Sequence, residues 1–197
     1  MGTWMAAHWA EVVGFATGAG CVVLAARRNI ANFPLGIANN LVFLALFIHN
    51  GVYANAGLQV VYLVLGVHGW LNWRAQRDDS EFVQHVPRPM VPILVGAGVV
   101  GTAALWWVLR DFTDSKVPLA DAATTAVSLV AQYMLNRRWL ECWYVWIAVD
   151  VAYVVMYGVI GLPITAALYL LFIGLCVQGL LGWRRHRAQT AAVGAAA

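Results

Sequence analysis

Long apolar runs, broken at regular intervals by short polar joints, make up almost the whole chain. Seven can be drawn, at residues 9–26, 33–49, 57–73, 90–109, 119–135, 142–160 and 163–183. Each approaches or reaches the roughly 20 residues a helix needs to cross a bilayer. Inside several runs the few polar residues recur at helical spacing, which gathers them on one face. In the fifth run Asp121, Thr125, Ser128 and Gln132 are spaced 4, 3, 4, and in the sixth Trp143, Trp146, Asp150 and Tyr153 are spaced 3, 4, 3. Gln59, Tyr62, Gly66, Gly69 and Trp73 share a face of the third run, and Gly36, Asn40 and Phe43 or Phe47 one of the second. The pattern predicts seven helices followed by a flexible tail, 188–197.

Composition turns these runs into membrane spans. The 197 residues are 62% hydrophobic and 11% charged, where a soluble domain carries about a quarter charged. No stretch is left for a soluble domain. The opening MGTWMAAH has neither the basic start nor the cleavage site of a signal peptide, so the first run is expected to stay in the mature protein.

Charge then orients the spans. Arg27, Arg28, Arg74, Arg77, Arg88, Arg137, Arg138, Arg184, Arg185 and Arg187 fall on one set of joints, and Arg110 and Lys116 on the other. Basic joints stay cytoplasmic, so the amino terminus is expected outside a cell (inner or plasma) membrane and the carboxyl terminus inside. The net charge of +3 is an orientation signal. No basic stripe with interleaved aromatics points to nucleic acid.

The chain also repeats itself. One constant shift, made without a gap, lays Glu11 on Asp121, Arg27 and Arg28 on Arg137 and Arg138, Phe33 on Trp143, Asn40 on Asp150, Gly51 on Gly161, Tyr62 on Phe172, Gly69 on Gly179 and Trp73 on Trp183. Both halves start on the same side, because the fourth run carries the chain back between them. The expected architecture is therefore an all-α membrane protein in a three plus one plus three plan: repeats 9–73 and 119–183 joined by a linker helix, 90–109. Parallel repeats with a midplane site at their interface are a transporter construction, and the plan sets Asn40 and Asp150 facing one another.

Candidate chemistry follows from the striped faces. An ionised side chain deep in a bilayer is costly and faces a cavity or a partner, so Asp150 either lines a pathway or pairs with Asn40 or Tyr153. Trp9, Trp73 and Trp183, at run ends, suit interface anchors, whereas Trp146 lies a turn deeper than an anchor should. Glu11 and Asp121 read equally as helix-start residues and as entrance groups. Aromatic rings beside amides and hydroxyls suit a flat, polar heteroaromatic ligand, and the scarcity of basic residues on these faces argues against a phosphorylated one. Cys21, Cys142 and Cys176 are isolated and read as packing residues. No metal or cofactor is indicated, and without a nucleophile and base an intramembrane enzyme is a poor reading. A scaffold or sensor subunit would have no use for two sets of inward polar stripes.

Several runs together resemble one family. FPLGIANN at 33–40, LQVVY with GVHGWLNW at 58–73, DAATTAVSLVAQ at 121–132, RWLECWYVWIAVD at 138–150 and YLLF at 169–172 look like the PnuC nicotinamide riboside transporters. The resemblance implies a seven-helix core similar to the SWEET sugar transporters, a homotrimer, and facilitated diffusion of an unphosphorylated vitamin, with thiamine or riboflavin as the alternative cargo. Carried over by position, it implies substrate contacts from Trp143 and Trp146, from Thr125 and Gln132, and from Asn40, Gln59 and Tyr62; Ser128 and Asp150 join them from the striped faces. Many members have Asn where this chain has Asp150.

Overall fold

Proline and glycine set the helix boundaries most clearly in the second half of the chain. The computed structural model describes residues 2–49, 53–75, 82–113 and 117–196. These residues form seven helices: α1 (Gly2–Ala26), α2 (Asn32–His49), α3 (Tyr53–Ala75), α4 (Met90–Phe112), α5 (Pro118–Asn136), α6 (Cys142–Ile160) and α7 (Pro163–Ala196). Pro118 opens α5, where a missing N–H costs nothing, and Asp121 sits in its first turn, favoured by the helix dipole. Gly161 ends α6 with φ 84°, and its N–H and that of Leu162 satisfy the carbonyls of Gly158 and Tyr157. Pro163 then starts α7.

Two boundaries differ from the sequence reading. The first helix begins at Gly2, and the segment expected as a flexible tail is helical as far as Ala196, because its alanines and glutamine are good helix formers. The pairing of Gly51 and the placement of Arg77 and Lys116 lie outside the described residues, as does the side chain of Glu11. Among the described residues, α2, α4, α6 and α7 are long and apolar enough to cross a membrane, with a shorter apolar helix over Val13–Ala26. In α3 and α5 the polar residues, including Gln59, His68 and Asn72 in one and Thr124 to Asn136 in the other, lower the hydropathy.

The chain divides into two compact units, residues 1–77 and 78–197. In the first, α1 packs on α2 and α2 on α3; in the second, α4 packs on α5, α5 on α6 and α6 on α7. Local geometry recurs between the units in the register of the sequence repeat. Arg28 and Arg138 adopt φ of 56° and 59°, and the turns around them carry the same bonds: Arg28 N to Ala25 O at 2.9 Å and Asn29 N to Leu24 O at 2.8 Å, then Arg138 N to Leu135 O at 2.9 Å and Trp139 N to Met134 O at 3.0 Å. Phe33 meets Trp73 edge-on at 4.9 Å and 87°, and Trp143 meets Trp183 at 5.4 Å and 88°. Phe43 and Phe47 lie 5.8 Å apart, and Tyr153 and Tyr157 5.9 Å.

The second unit holds one further element that periodicity does not reveal. Residues 82–86 run beside the α5–α6 turn, paired as Gln84 N to Arg138 O at 3.0 Å and Leu140 N to Gln84 O at 2.8 Å. Phe82 packs edge-on to Trp183 beneath the Arg138 guanidinium. Glu141 accepts from His85 Nδ1 at 2.5 Å and from Val86 N at 3.0 Å, and Arg187 is bonded to the other ring nitrogen of His85. This strap ties the start of α4 to the ends of α5, α6 and α7 that carry the arginines.

Candidate binding site

On α5 the striped face is real and runs one turn further than expected. Ser128 is buried, while Thr125 and Gln132 are half-buried. Gln132 Nε2 donates to Asn136 Oδ1 at 3.0 Å, and Asn136 is fully buried. Asn136 follows Gln132 at i+4, so extending the 4, 3, 4 spacing by one step finds it. Thr124, between stripe positions, is buried too and bonds back to Ala120 O at 2.8 Å.

The sixth helix distributes its polar face between two neighbours. Trp143, only 1% exposed, lies in the α6–α7 seam, where a Cβ on Gly179 would come within 2.6 Å of its ring. Its indole N–H has no partner among the described residues. A buried donor of that kind is rare in folded proteins. Asp150, 5% exposed, accepts from the Cys176 thiol of α7 at 3.5 Å; its partner in the structure is thus Cys176, a residue the sequence left as packing. Tyr153 turns instead toward α5, with its hydroxyl beside Thr124, Thr125 and Ser128. Trp146 is half-buried between these two directions.

Asn40 on α2 and Gln59 and Tyr62 on α3 are half-buried in the first unit. The candidate residues therefore stand in two sets, three in the first unit and six in the second. Two expected interface anchors are core residues instead: Trp73 is 4% exposed and Trp183 0%. Their position at the ends of apolar runs suggested anchoring, but each indole is enclosed by an aromatic ring from the preceding helix, Phe33 or Trp143.

Comparison with known proteins gives these residues a setting. A family model described as nicotinamide mononucleotide transporter matches residues 8–185. The chain belongs to that family. Among relatives of the nicotinamide mononucleotide transporter family, the nicotinamide riboside transporter PnuC of Escherichia coli is 23% identical, with 89% of this chain and 84% of the relative covered. The riboflavin/roseoflavin transporter RibM of Streptomyces davaonensis is 24% identical over the same shares, 89% and 84%. A crystal structure of the vitamin B3 transporter PnuC superposes with a TM-score of 0.73 at 24% identity, covering 93% of this chain and 83% of that one. The fold is the same. Family membership and the apolar helices make this a multi-pass membrane protein, and the relatives are transporters rather than enzymes.

Proposed function

We propose that this chain carries nicotinamide riboside across the cell membrane by facilitated diffusion. The observation that carries the reading is the family match over residues 8–185, with relatives named as nicotinamide riboside transporters. The substrate is held by Trp143, Trp146, Thr125, Ser128, Gln132 and Asp150 of the second unit and by Asn40, Gln59 and Tyr62 of the first. The indoles stack on the nicotinamide and ribose, and the amides and hydroxyls orient the sugar. Two parallel three-helix repeats joined by α4, an external amino terminus and a homotrimer complete the proposal.

The family's description names the mononucleotide, but the residues favour the riboside. A bound phosphate is met by Arg or Lys, and none of these nine side chains is cationic, while Asp150 is acidic and matches the cationic pyridinium. Riboflavin is the second reading, favoured by the similarity to RibM. A thermal-shift series on the purified protein with riboside, mononucleotide, riboflavin and thiamine separates them, since a ligand that binds the folded state raises its melting temperature. The riboside is expected to stabilise most; stabilisation by the mononucleotide or riboflavin alone would replace this reading.

A further inference from the structure

Beyond Asp150, where α6 runs toward the end of the unit opposite the strap, its polar groups are tyrosines. Tyr153 and Tyr157 of α6 and Tyr169 of α7 form a triangle of centroids, with Tyr169 at 4.6 Å from Tyr153 and 5.5 Å from Tyr157, and planes inclined by 26° and 9°. Phe172 extends the group at 6.0 Å from Tyr169. Other ring pairs are arranged differently. Phe33 with Trp73, Phe82 with Trp183, Tyr133 with Trp139 and Trp143 with Trp183 all meet edge-on, at 78° to 88°. An edge-on pair covers one ring's face with the other's rim, whereas near-parallel rings turn π faces outward, and a further flat ring can add to them. Tyr153, Tyr157 and Tyr169 are only half-buried. Asp121, in the first turn of α5, stands close enough for its charge to act on both Tyr153 and Tyr157.

The internal repeat separates packing from chemistry at this place. In its register, Tyr153 and Tyr157 correspond to Phe43 and Phe47, and Tyr169 and Phe172 to Gln59 and Tyr62. The phenylalanine pair has nearly the same spacing and tilt as the tyrosine pair, 5.8 Å and 33° against 5.9 Å and 23°. Helix packing of this kind therefore does not need the hydroxyls. The first unit makes room for Phe43 with Gly14, whose Cβ would lie 2.5 Å from the ring; the second has Thr124 at the corresponding position, beside the Tyr153 hydroxyl. Moreover, Tyr169 and Phe172 occupy the positions at which the first unit carries two of its proposed substrate-binding residues.

We infer that Tyr157, Tyr169 and Asp121 form a second, shallower ligand site that receives a flat aromatic cation before it reaches Trp146. The inference rests on the nicotinamide riboside reading and gives its path a first station, about 16 Å along α6 from Trp146 at about 1.5 Å per residue. The tyrosine faces stack on the pyridinium and attract its charge, and Asp121 adds the opposite charge at the same end. Tyr153 links this station to the α5 stripe through Thr124, Thr125 and Ser128.

Initial-rate uptake of labelled nicotinamide riboside into proteoliposomes tests the site, with the uncharged dihydro form of the riboside as the comparison probe. The Tyr157→Leu/Tyr169→Leu double variant keeps apolar volume and loses the stacking face; it is expected to raise KM for the cation about tenfold, the scale of one cation–π contact, with the maximal rate retained. Asp121→Asn is expected to narrow the preference for the cation over the dihydro form. Tyr157→Phe/Tyr169→Phe, which keeps the rings and guards against a folding defect in the leucine variant, should retain most of the wild-type KM. Unchanged KM and unchanged cation preference in the leucine and asparagine variants would overturn the inference while leaving the transport reading intact. Wild-type liposomes no faster than empty ones would overturn the transport reading itself.

Discussion

Arg28 and Arg138 are counterparts in the internal repeat and share a left-handed backbone conformation, with φ of 56° and 59°. Each follows the last turn of a helix whose carbonyls its N–H and the next one satisfy, a C-terminal geometry that glycine usually provides. Their side chains differ in surroundings. Arg138 is 8% exposed with its guanidinium over Phe82, while Arg28 is half-buried.

A left-handed residue with a Cβ costs roughly 1–2 kcal/mol relative to glycine. Arg28→Gly is accordingly expected to raise the melting temperature of the detergent-solubilised protein. Arg138→Gly relieves the same backbone but uncovers Phe82 and loosens the strap, and is expected to lower it. The opposite order would show that the strap contributes little.

Gly179 leaves the space that the Trp143 ring fills, with ring atoms 2.6 to 2.7 Å from where a Cβ would lie. Gly179→Ala must displace the indole and is expected to cost about 1–3 kcal/mol, as overpacking does. Gly174→Ala, where nothing lies within 4 Å of the added Cβ, is the control and should be neutral or stabilising. Urea or thermal melts of the two variants that coincide would place Trp143 outside the seam.

The strap makes stability depend on acid. Burial pushes the Glu141 carboxyl up, but the hydrogen bonds from His85 and the Val86 N–H outweigh it and hold the group below its ordinary 4.5. A carboxyl lowered in the folded state adds stability that is complete above its unfolded pKa and disappears as pH falls through the folded one. Acidification below pH 4.5 is therefore expected to lower the melting temperature of the wild type more steeply than that of Glu141→Gln. Parallel curves would show that the carboxylate is not engaged.

Asp150 and Cys176 give a direct test of what the buried carboxylate does. Asp150→Asn keeps an oxygen acceptor for the thiol but removes the charge matched to the pyridinium, so melting is expected to stay near that of the wild type while calorimetric affinity for nicotinamide riboside falls. Cys176→Ala leaves a buried acceptor without its donor, a loss of about 1–3 kcal/mol, readable by melting. Unchanged affinity for Asp150→Asn would make the carboxylate a wall element rather than a ligand group.

Much of this was legible in the chain because a bilayer imposes simple rules. Apolar runs of fixed length located all seven helices, and the register of the repeat foresaw that Phe33 and Trp73 would have counterparts in Trp143 and Trp183. The i+4 spacing on α5 led to Gln132 and stopped one step short of Asn136. What stayed hidden depends on which neighbour a face meets. The 3, 4, 3 spacing on α6 puts Trp143, Asp150 and Tyr153 on one face, yet that face is broad enough to touch both α5 and α7, so Asp150 finds Cys176 while Tyr153 finds Thr124. The strap has no periodicity at all: its pairing of Gln84 with the α5–α6 turn joins residues far apart in the chain, and only His85 and Glu141, opposite in charge type, offered a hint.

The central claim concerns cargo, and one measurement addresses it most directly: uptake of labelled nicotinamide riboside into proteoliposomes holding the wild type, Trp146→Ala or Gln132→Ala. Facilitated diffusion predicts saturable wild-type uptake that equilibrates with the outside concentration and ignores an imposed pH gradient, with both variants reduced roughly tenfold or more, the loss expected for removing a stacking ring or an oriented polar contact. Wild-type uptake equal to that of empty vesicles, or full activity in both variants, would contradict the account.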